Sequence, residues 1–91
     1  TIAEEAQRLV SGERNSTYGD AYDDFTRVGK LWGALLGVDV GPDQVALCMA
    51  ALKLSREAYG PKRDNRVDGI GYLMCLEHVR QRQAELSDSS S

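Results

Sequence analysis

The segment Lys62–Tyr72 carries the residues whose types and spacing are best suited to chemistry. Asp64 and Asp68 are four residues apart, and helical residues at that spacing share a face, so their carboxylates point the same way. Asn65 and Tyr72 flank Asp68 on the same predicted helix. Carboxylates in such a cluster can bind a sugar hydroxyl or a metal ion such as Mg²⁺. The two glycines of the segment each cost a helix about 1 kcal/mol relative to alanine, so we expect another group to approach closely there.

Two basic residues on the preceding predicted helix are the natural partners of these carboxylates. Lys53 and Arg56 are three residues apart and are therefore neighbours on the helix surface. A short Gly-Pro turn follows, and helices joined by short turns are usually antiparallel neighbours. We therefore expect the two bases to converge with Asn65, Asp68 and Tyr72 and to bind phosphate. The alternative is a pair of bases whose stems cover the core while their charges reach water.

The loop between Gly12 and Asp20 is a second candidate for ligand binding. Arg14 offers a fork for phosphate, Asn15 an amide, and Tyr18 a face on which a base can stack. The loop opens onto a predicted helix N-terminus, which favours anions. Three aspartates at that N-terminus oppose an anion in part, and helix capping explains them better than metal binding does.

Hydrophobic periodicity predicts an all-α fold, a compact bundle of about four helices. Thr1 and Glu4 form a capping-box pattern at the start of the first helix. The third helix is apolar nearly all round and is therefore expected to be the buried central element. The predicted limits, in chain order, are Thr1 to Gly12, Asp20 to Gly37, Pro42 to Gly60, and Asp64 to Leu86. His78, the single histidine, is expected near the polar end of the fourth helix without a catalytic role.

The bulk properties indicate one small helical domain over residues 1–86, followed by a disordered Ser-rich tail over 87–91. A chain of 91 residues has a modest core, and a homo-oligomer would help it. The net charge of −3 argues against general nucleic-acid binding. No apolar run approaches the ~20 residues of a membrane span. Cys48 and Cys75, in apolar helical patterns, are expected to be buried, reduced thiols, so we expect a soluble protein of the cytoplasm.

Several motifs in fixed order resemble a family of helical proteins of unknown function that is common in bacteriophages and prophages. The resemblance covers roughly Ala3 to Glu77 and implies the cytoplasm of a bacterial host as the site of action. The motifs are Gly12-Glu13-Arg14-Asn15, Tyr18-Gly19-Asp20, Phe25, Leu31-Trp32, Lys53-Leu54-Ser55-Arg56, Lys62-Arg63-Asp64-Asn65, Asp68 and Gly71-Tyr72.

More distantly, this pattern resembles the MazG-like all-α nucleoside-triphosphate pyrophosphohydrolases. The resemblance implies two acidic pairs on successive helices that hold Mg²⁺, which bridges the substrate phosphates while an activated water attacks. The present chain departs from that set. Lys53 and Arg56 stand where the first acidic pair would fall, and Asn65 stands at the start of the second. Asp68 alone fits the pattern, with Asp64 as a substitute partner.

The leading hypothesis is a phage-encoded, MazG-like helical protein that binds a nucleotide or related phosphate ligand, with catalysis lost or altered and no certain cofactor. Arg14, Lys53 and Arg56 would bind phosphate, and Asn65, Asp68 and Tyr72 would bind the sugar or base. The first alternative is a small phage factor that binds and inactivates a host protein. The second alternative is an active pyrophosphohydrolase using Mg²⁺.

Overall fold

A computed structural model describes residues 1–13 and 19–89. Its elements are four α-helices and one π-helix, with no strand in the described residues. The predicted all-α bundle is thereby confirmed. The helices are α1 (Ile2–Arg8), which continues into a π-helix (Leu9–Glu13), α2 (Ala21–Leu36), α3 (Pro42–Tyr59) and α4 (Arg63–Ser89).

The helix starts follow the capping chemistry of the sequence. The Thr1 hydroxyl accepts a hydrogen bond from the Glu4 backbone N–H at 3.1 Å, and the Glu4 carboxylate accepts one from the Thr1 backbone nitrogen at 2.8 Å. The Asp20 side chain accepts from the Tyr22 N–H at 3.0 Å and caps α2. Because these groups satisfy backbone donors that a helix leaves unpaired at its first turn, they place the N-termini of α1 and α2.

The helices α3 and α4 form the antiparallel centre of the bundle. Asp43, in the first turn of α3, lies 3.3 Å from Gln83 near the end of α4, while Glu57, near the end of α3, lies 2.5 Å from Arg66 near the start of α4. The helix α1 packs on α4, and α2 packs on both α3 and α4. The buried core is small, as expected for this length: Ala21, Phe25, Val45, Ala46, Cys75 and Val79.

The structure corrects the expectation that the third helix is buried all round. Val45, Ala46 and Ala50 of α3 are buried, but Leu47 is 43% exposed and Leu54 is 70% exposed. The helix therefore buries one face and leaves an apolar face uncovered. Cys48 lies on the exposed side and Cys75 is buried, so the prediction of two buried thiols holds only for Cys75.

The turn between α2 and α3 depends on glycine for two reasons. Gly37 ends α2 in the left-handed region, with φ of 73°, which glycine adopts without the steric cost of a side chain. A Cβ on Gly29 would lie 2.4 Å from the backbone oxygen of Val40, so the turn can fold back onto α2 only where no side chain stands. This packing brings the start of α3 against α2.

The fourth helix ends at Ser89, three residues beyond the predicted end at Leu86. It therefore includes three residues that the sequence assigns to the tail, and residues 90–91 lie outside the described part. Among the described helices, none combines the length and the apolar character needed to cross a membrane.

Candidate ligand-binding site

The central contact of the site is an ion pair between α3 and α4. The Lys53 Nζ lies 2.8 Å from the Asp68 Oδ2, with side-chain exposures of 13% and 28%. A Cβ on Gly69 would lie 3.7 Å from the Lys53 Cβ, an ordinary van der Waals distance, so the lysine stem of α3 packs directly against α4 there. The sequence prediction that Lys53 and Asp68 meet is confirmed. The group that approaches the glycine-containing segment is the neighbouring helix.

Asp68 also lines a cavity of about 350 Å³ between α1, the π-helix and α4. Among the described residues, its walls are apolar except for Asp68 and Tyr72, which is one helical turn further along α4. The other lining residues are Ala6, Leu9, Val10, Val67, Gly71 and Cys75. Pockets that bind small molecules are of this kind, largely apolar with a few placed polar groups.

The π-helix supplies one wall of this cavity through Leu9 and Val10. A Cβ on Gly71 would lie 3.5 Å from the Val10 Cγ2, an ordinary van der Waals distance, so the π-helix lies directly against α4 at this position. π-Helical turns are rare and frequently occur at functional sites. The apolar periodicity of this segment predicts the end of a regular helix and gives no signal for the change in hydrogen bonding.

A second cleft of about 390 Å³ lies among α2, α3 and α4, and Tyr72 lines it as well. Phe25 and Trp32 contribute two more aromatic rings, and the ring centroids of Phe25 and Tyr72 are 6.3 Å apart. Phe25 is buried and Trp32 packs against the core. Both rings therefore contribute to the core of the bundle.

Asn65 lies in a different polar cluster, at the turn between α3 and α4. It is buried, and its backbone N–H donates to the Lys62 carbonyl at 3.0 Å. The Glu57 carboxylate also accepts from the Lys62 backbone N–H at 2.8 Å and from Arg66 at 2.5 Å. The hydrogen bond from Lys62 is the largest cause that lowers the pKa of Glu57, and Arg66 and Asn65 lower this pKa further. The cluster fixes the turn. The residue pattern of the sequence gives no signal for the role of Glu57 at its centre.

The remaining predicted site residues do not join the Lys53–Asp68 pair. Arg56 is exposed and makes no ion pair within residues 1–13 and 19–89, and Asp64 is exposed. The predicted convergence is therefore wrong for Arg56. Arg14, Asn15 and Tyr18 lie outside the described residues.

The described residues do not fit a Mg²⁺ site. No three carboxylate, imidazole or thiol groups in residues 1–13 and 19–89 lie close enough together to hold a metal ion. Asp68 faces the cation of Lys53, which competes with a metal for its oxygens. Asp20 caps α2 and lies 2.5 Å from the His78 Nε2, and Asp24 lies 3.6 Å from Arg27. These two aspartates therefore have structural partners.

By fold and site, the chain is an all-α bundle with a polar pair beside a largely apolar cavity. Comparison with known sequences gives the family. The model of the family described as "Domain of unknown function (DUF6378)" matches residues 1–80, and the chain belongs to that family. The predicted kinship with a phage protein family is confirmed, while the likeness to MazG stays a prediction.

Two relatives are phage proteins, each called "Gene 55 protein". The protein of Mycobacterium phage D29 is 35% identical over 86 residues, which cover 93% of this chain and 57% of that protein. The protein of Mycobacterium phage L5 is 36% identical over 87 residues, which cover 93% of this chain and 56% of that protein. The chain thus spans little more than half the length of these relatives. No solved structure matches it.

Proposed function

We propose that the chain binds a nucleotide or a related phosphate ligand in the cavity between α1, the π-helix and α4. One observation carries this proposal: Asp68 and Tyr72 are the polar residues in the described lining of an otherwise apolar cavity. Both residues also belong to the group that the sequence predicts to bind a ligand. A volume of about 350 Å³ lies within the roughly 300–1,000 Å³ common for small-ligand sites.

The carboxylate of Asp68 has capacity left for a ligand. A carboxylate offers about four acceptor positions, and within the described residues Asp68 has one partner, Lys53. Its remaining positions can accept hydrogen bonds from sugar hydroxyls or from a base amine. Lys53 neutralises the carboxylate, so an anionic ligand is not repelled from the cavity. The Tyr72 phenol and the apolar wall would contact the sugar or the base.

On this proposal, the chain is a MazG-like protein in which catalysis is lost or altered, acting in the cytoplasm of a bacterial host. Hydrolysis of the MazG type needs several hard oxygen ligands around Mg²⁺. In the present chain Lys53 occupies the position beside Asp68 where a carboxylate would contribute to such a set. Release of pyrophosphate from a nucleotide, dependent on Mg²⁺, would instead support the active pyrophosphohydrolase that the sequence left as an alternative.

The test is a thermal-shift screen against a nucleotide panel, with and without Mg²⁺. A ligand at 100 times its dissociation constant should add about 2.7 kcal/mol to the free energy of unfolding, a rise of several degrees in Tm for a domain of this size. We expect a shift that does not need Mg²⁺. For the ligand that gives it, Asp68→Asn should raise the dissociation constant about tenfold, because charged hydrogen bonds contribute about 1.5–3 kcal/mol.

The matched control is Asp23→Asn, which changes an exposed aspartate on α2 in the same way. Arg56→Ala tests the predicted role of the second base separately from Lys53. Absence of any shift across the panel, or equal shifts for wild type and Asp68→Asn, would overturn the proposed site.

The alternative from the sequence, a factor that binds a host protein, is favoured by a different observation. The C-terminal end of α2 and the turn after it expose apolar side chains that a partner could cover: Leu31 (67% exposed), Leu35 (84%), Leu36 (68%) and Val38 (58%). A pull-down from host lysate tests this function. A stoichiometric host protein, captured without nucleotide and lost with Leu35→Lys, would favour it over ligand binding.

A further inference from the structure

The carboxylate of Asp68 is the charged group in the described lining of the ligand cavity, and a carboxylate distinguishes bases by the hydrogen-bond donors they present. We propose that the base held in this cavity is guanine, bound through its N1–H and its N2 amino group to the two oxygens of Asp68. The inference rests on the proposed function. It adds which part of the nucleotide enters the cavity and which base the cavity selects.

The Asp68 carboxylate can accept two parallel hydrogen bonds from a ligand. An ion-paired carboxylate has about four acceptor positions and no donor. Within the described residues one position is taken, by the Lys53 Nζ at 2.8 Å from the Asp68 Oδ2. Both positions on Oδ1 and the second one on Oδ2 remain. Two parallel N–H groups bind a carboxylate as the fork of an arginine guanidinium does, through short and strong hydrogen bonds. A ligand with two adjacent N–H donors therefore matches this site.

Guanine is the common base that presents two adjacent N–H donors on its Watson–Crick edge. Adenine and cytosine each place an amino group beside a ring nitrogen that is an acceptor, and uracil places its N–H between two carbonyl oxygens. In each case a lone pair of the base would face a carboxylate oxygen, and two acceptors in contact repel each other. Because a site built to bind an N–H group rejects analogues that lack it, Asp68 favours guanine.

The walls of the cavity fit a planar base better than a sugar or a phosphate. Leu9 and Val10 of the π-helix lie on one side, and Val67 and Gly71 of α4 on the other. Both flat faces of an inserted ring would therefore contact apolar groups, while its polar edge meets Asp68. A ribose carries hydroxyl groups around its ring that such walls leave unpaired. The described lining contains no lysine or arginine to bind a phosphate, so the phosphate stays on the solvent side.

Isothermal titration calorimetry of the complete chain, without Mg²⁺, tests the choice of base. Guanosine monophosphate (GMP) is compared with inosine monophosphate (IMP), which differs from it by the missing N2 amino group. We expect GMP to bind at least about tenfold more tightly than IMP, the effect of one hydrogen bond to a charged group, and more tightly than AMP, CMP and UMP. Equal affinities for GMP and IMP would overturn the inference.

A guanine nucleotide without sugar hydroxyls tests whether Asp68 binds the base or the ribose. The 2′,3′-dideoxy form of GMP should bind as tightly as GMP, because the inference places no hydroxyl on the carboxylate. A dideoxy form that binds as weakly as IMP would assign Asp68 to the sugar and would overturn the inference.

Asp68→Asn should reverse the preference of the site. An asparagine side chain presents one acceptor and one donor, which match the N1–H and the C2 carbonyl of xanthine. We expect the variant to bind xanthosine monophosphate (XMP) at least about tenfold more tightly than GMP, and this gained affinity also shows that the variant is folded. Asp23→Asn, the matched change at an exposed position of α2, should keep the preference for GMP. An Asp68→Asn variant that still prefers GMP to XMP would overturn the inference.

The titrations separate the choice of base from the proposed function. Several nucleotides bound with equal affinity would leave the nucleotide site in place and overturn the selection of guanine alone. No binding of any nucleotide would overturn the proposed function, and the selection of guanine with it.

Discussion

Two polar clusters lie on the same seam between α3 and α4, and they differ in how completely the protein uses them. In the first cluster the Glu57 carboxylate accepts from the Lys62 N–H and from Arg66, beside the buried Asn65. In the second cluster, the Asp68 carboxylate has one partner within the described residues, Lys53, and Asp68 also lines the cavity.

The difference separates a structural carboxylate from one that is available to a ligand. Both carboxylates lie one or two turns from the same connection, and both face basic residues, so charge pattern alone does not distinguish them. What distinguishes them is the number of donors within reach and the empty space beside the group. Glu57 holds the turn that sets the register of α3 on α4, and that register places Lys53 opposite Asp68.

The largest expected effect is on the structural cluster. Asn65→Ala removes a buried polar side chain at the turn beside Glu57, so we expect the free energy of unfolding to fall by about 1–3 kcal/mol. Urea denaturation measures this. Gln81→Ala, which removes an exposed amide from the same helix, should change it by less than about 0.5 kcal/mol. Equal effects of the two substitutions would mean that Asn65 does not hold the turn.

A smaller loss of stability is expected from Lys53→Met. The Asp68 carboxylate then remains half-buried without its cation, and we expect a loss of about 1–2 kcal/mol, below the cost for a fully buried pair because Asp68 is partly solvated. Combining Lys53→Met with Asp68→Asn should recover most of it. A double-mutant cycle measures the coupling, and a coupling near zero would contradict a pair that depends on both charges.

The dependence of stability on pH tests the structural role of the Glu57 carboxylate. Because the pKa of Glu57 is lowered in the folded chain, its contribution to stability is complete above the usual value of 4.5 and is lost as the pH falls through the folded pKa.

We therefore expect Tm to fall in acid for wild type and to fall less for Glu57→Gln. Thermal melts from neutral pH down to pH 3 measure this, with Glu77→Gln on α4 as the matched substitution. If the Glu57→Gln variant loses as much stability in acid as wild type, the acid sensitivity arises from titratable groups other than Glu57.

The smallest expected effect is on the ligand side. Tyr72→Phe removes one hydroxyl from the cavity wall and keeps the ring that packs against Phe25. We expect the affinity for the bound nucleotide to fall about two- to tenfold, the range of one neutral hydrogen bond, while Asn65→Ala leaves it unchanged in the folded protein. Isothermal titration calorimetry measures both. An unchanged affinity in Tyr72→Phe would exclude the phenol from the site.

Much of the fold was predictable because its signals are local. Capping by Thr1 and Asp20, the stop at Gly37, and Pro42 in the first turn of α3 each depend on a few neighbouring residues, and the structure has each of them. The pairing of Lys53 with Asp68 was predictable as well, since a short turn makes the two helices neighbours.

Other features depend on packing between distant segments, which spacing does not encode. The uncovered face of α3 has the same apolar composition as its buried face, so the sequence predicted burial for both. The inner position of Lys53 and the outer position of Arg56 follow from the rotation of α3 about its axis. The burial of Asn65 beside Glu57 depends on the geometry of the turn. The π-helix beside the cavity has no distinct residue pattern.

The most direct test of the ligand-binding claim is a titration of the isotope-labelled chain with the nucleotide panel, followed by amide NMR. We predict that the largest chemical-shift changes lie around the cavity, at Val10, Val67, Gly71 and Cys75. The amide signals of Glu57 and Asn65 should hardly change. Changes confined to the turn at Glu57, or none at any nucleotide concentration, would contradict it.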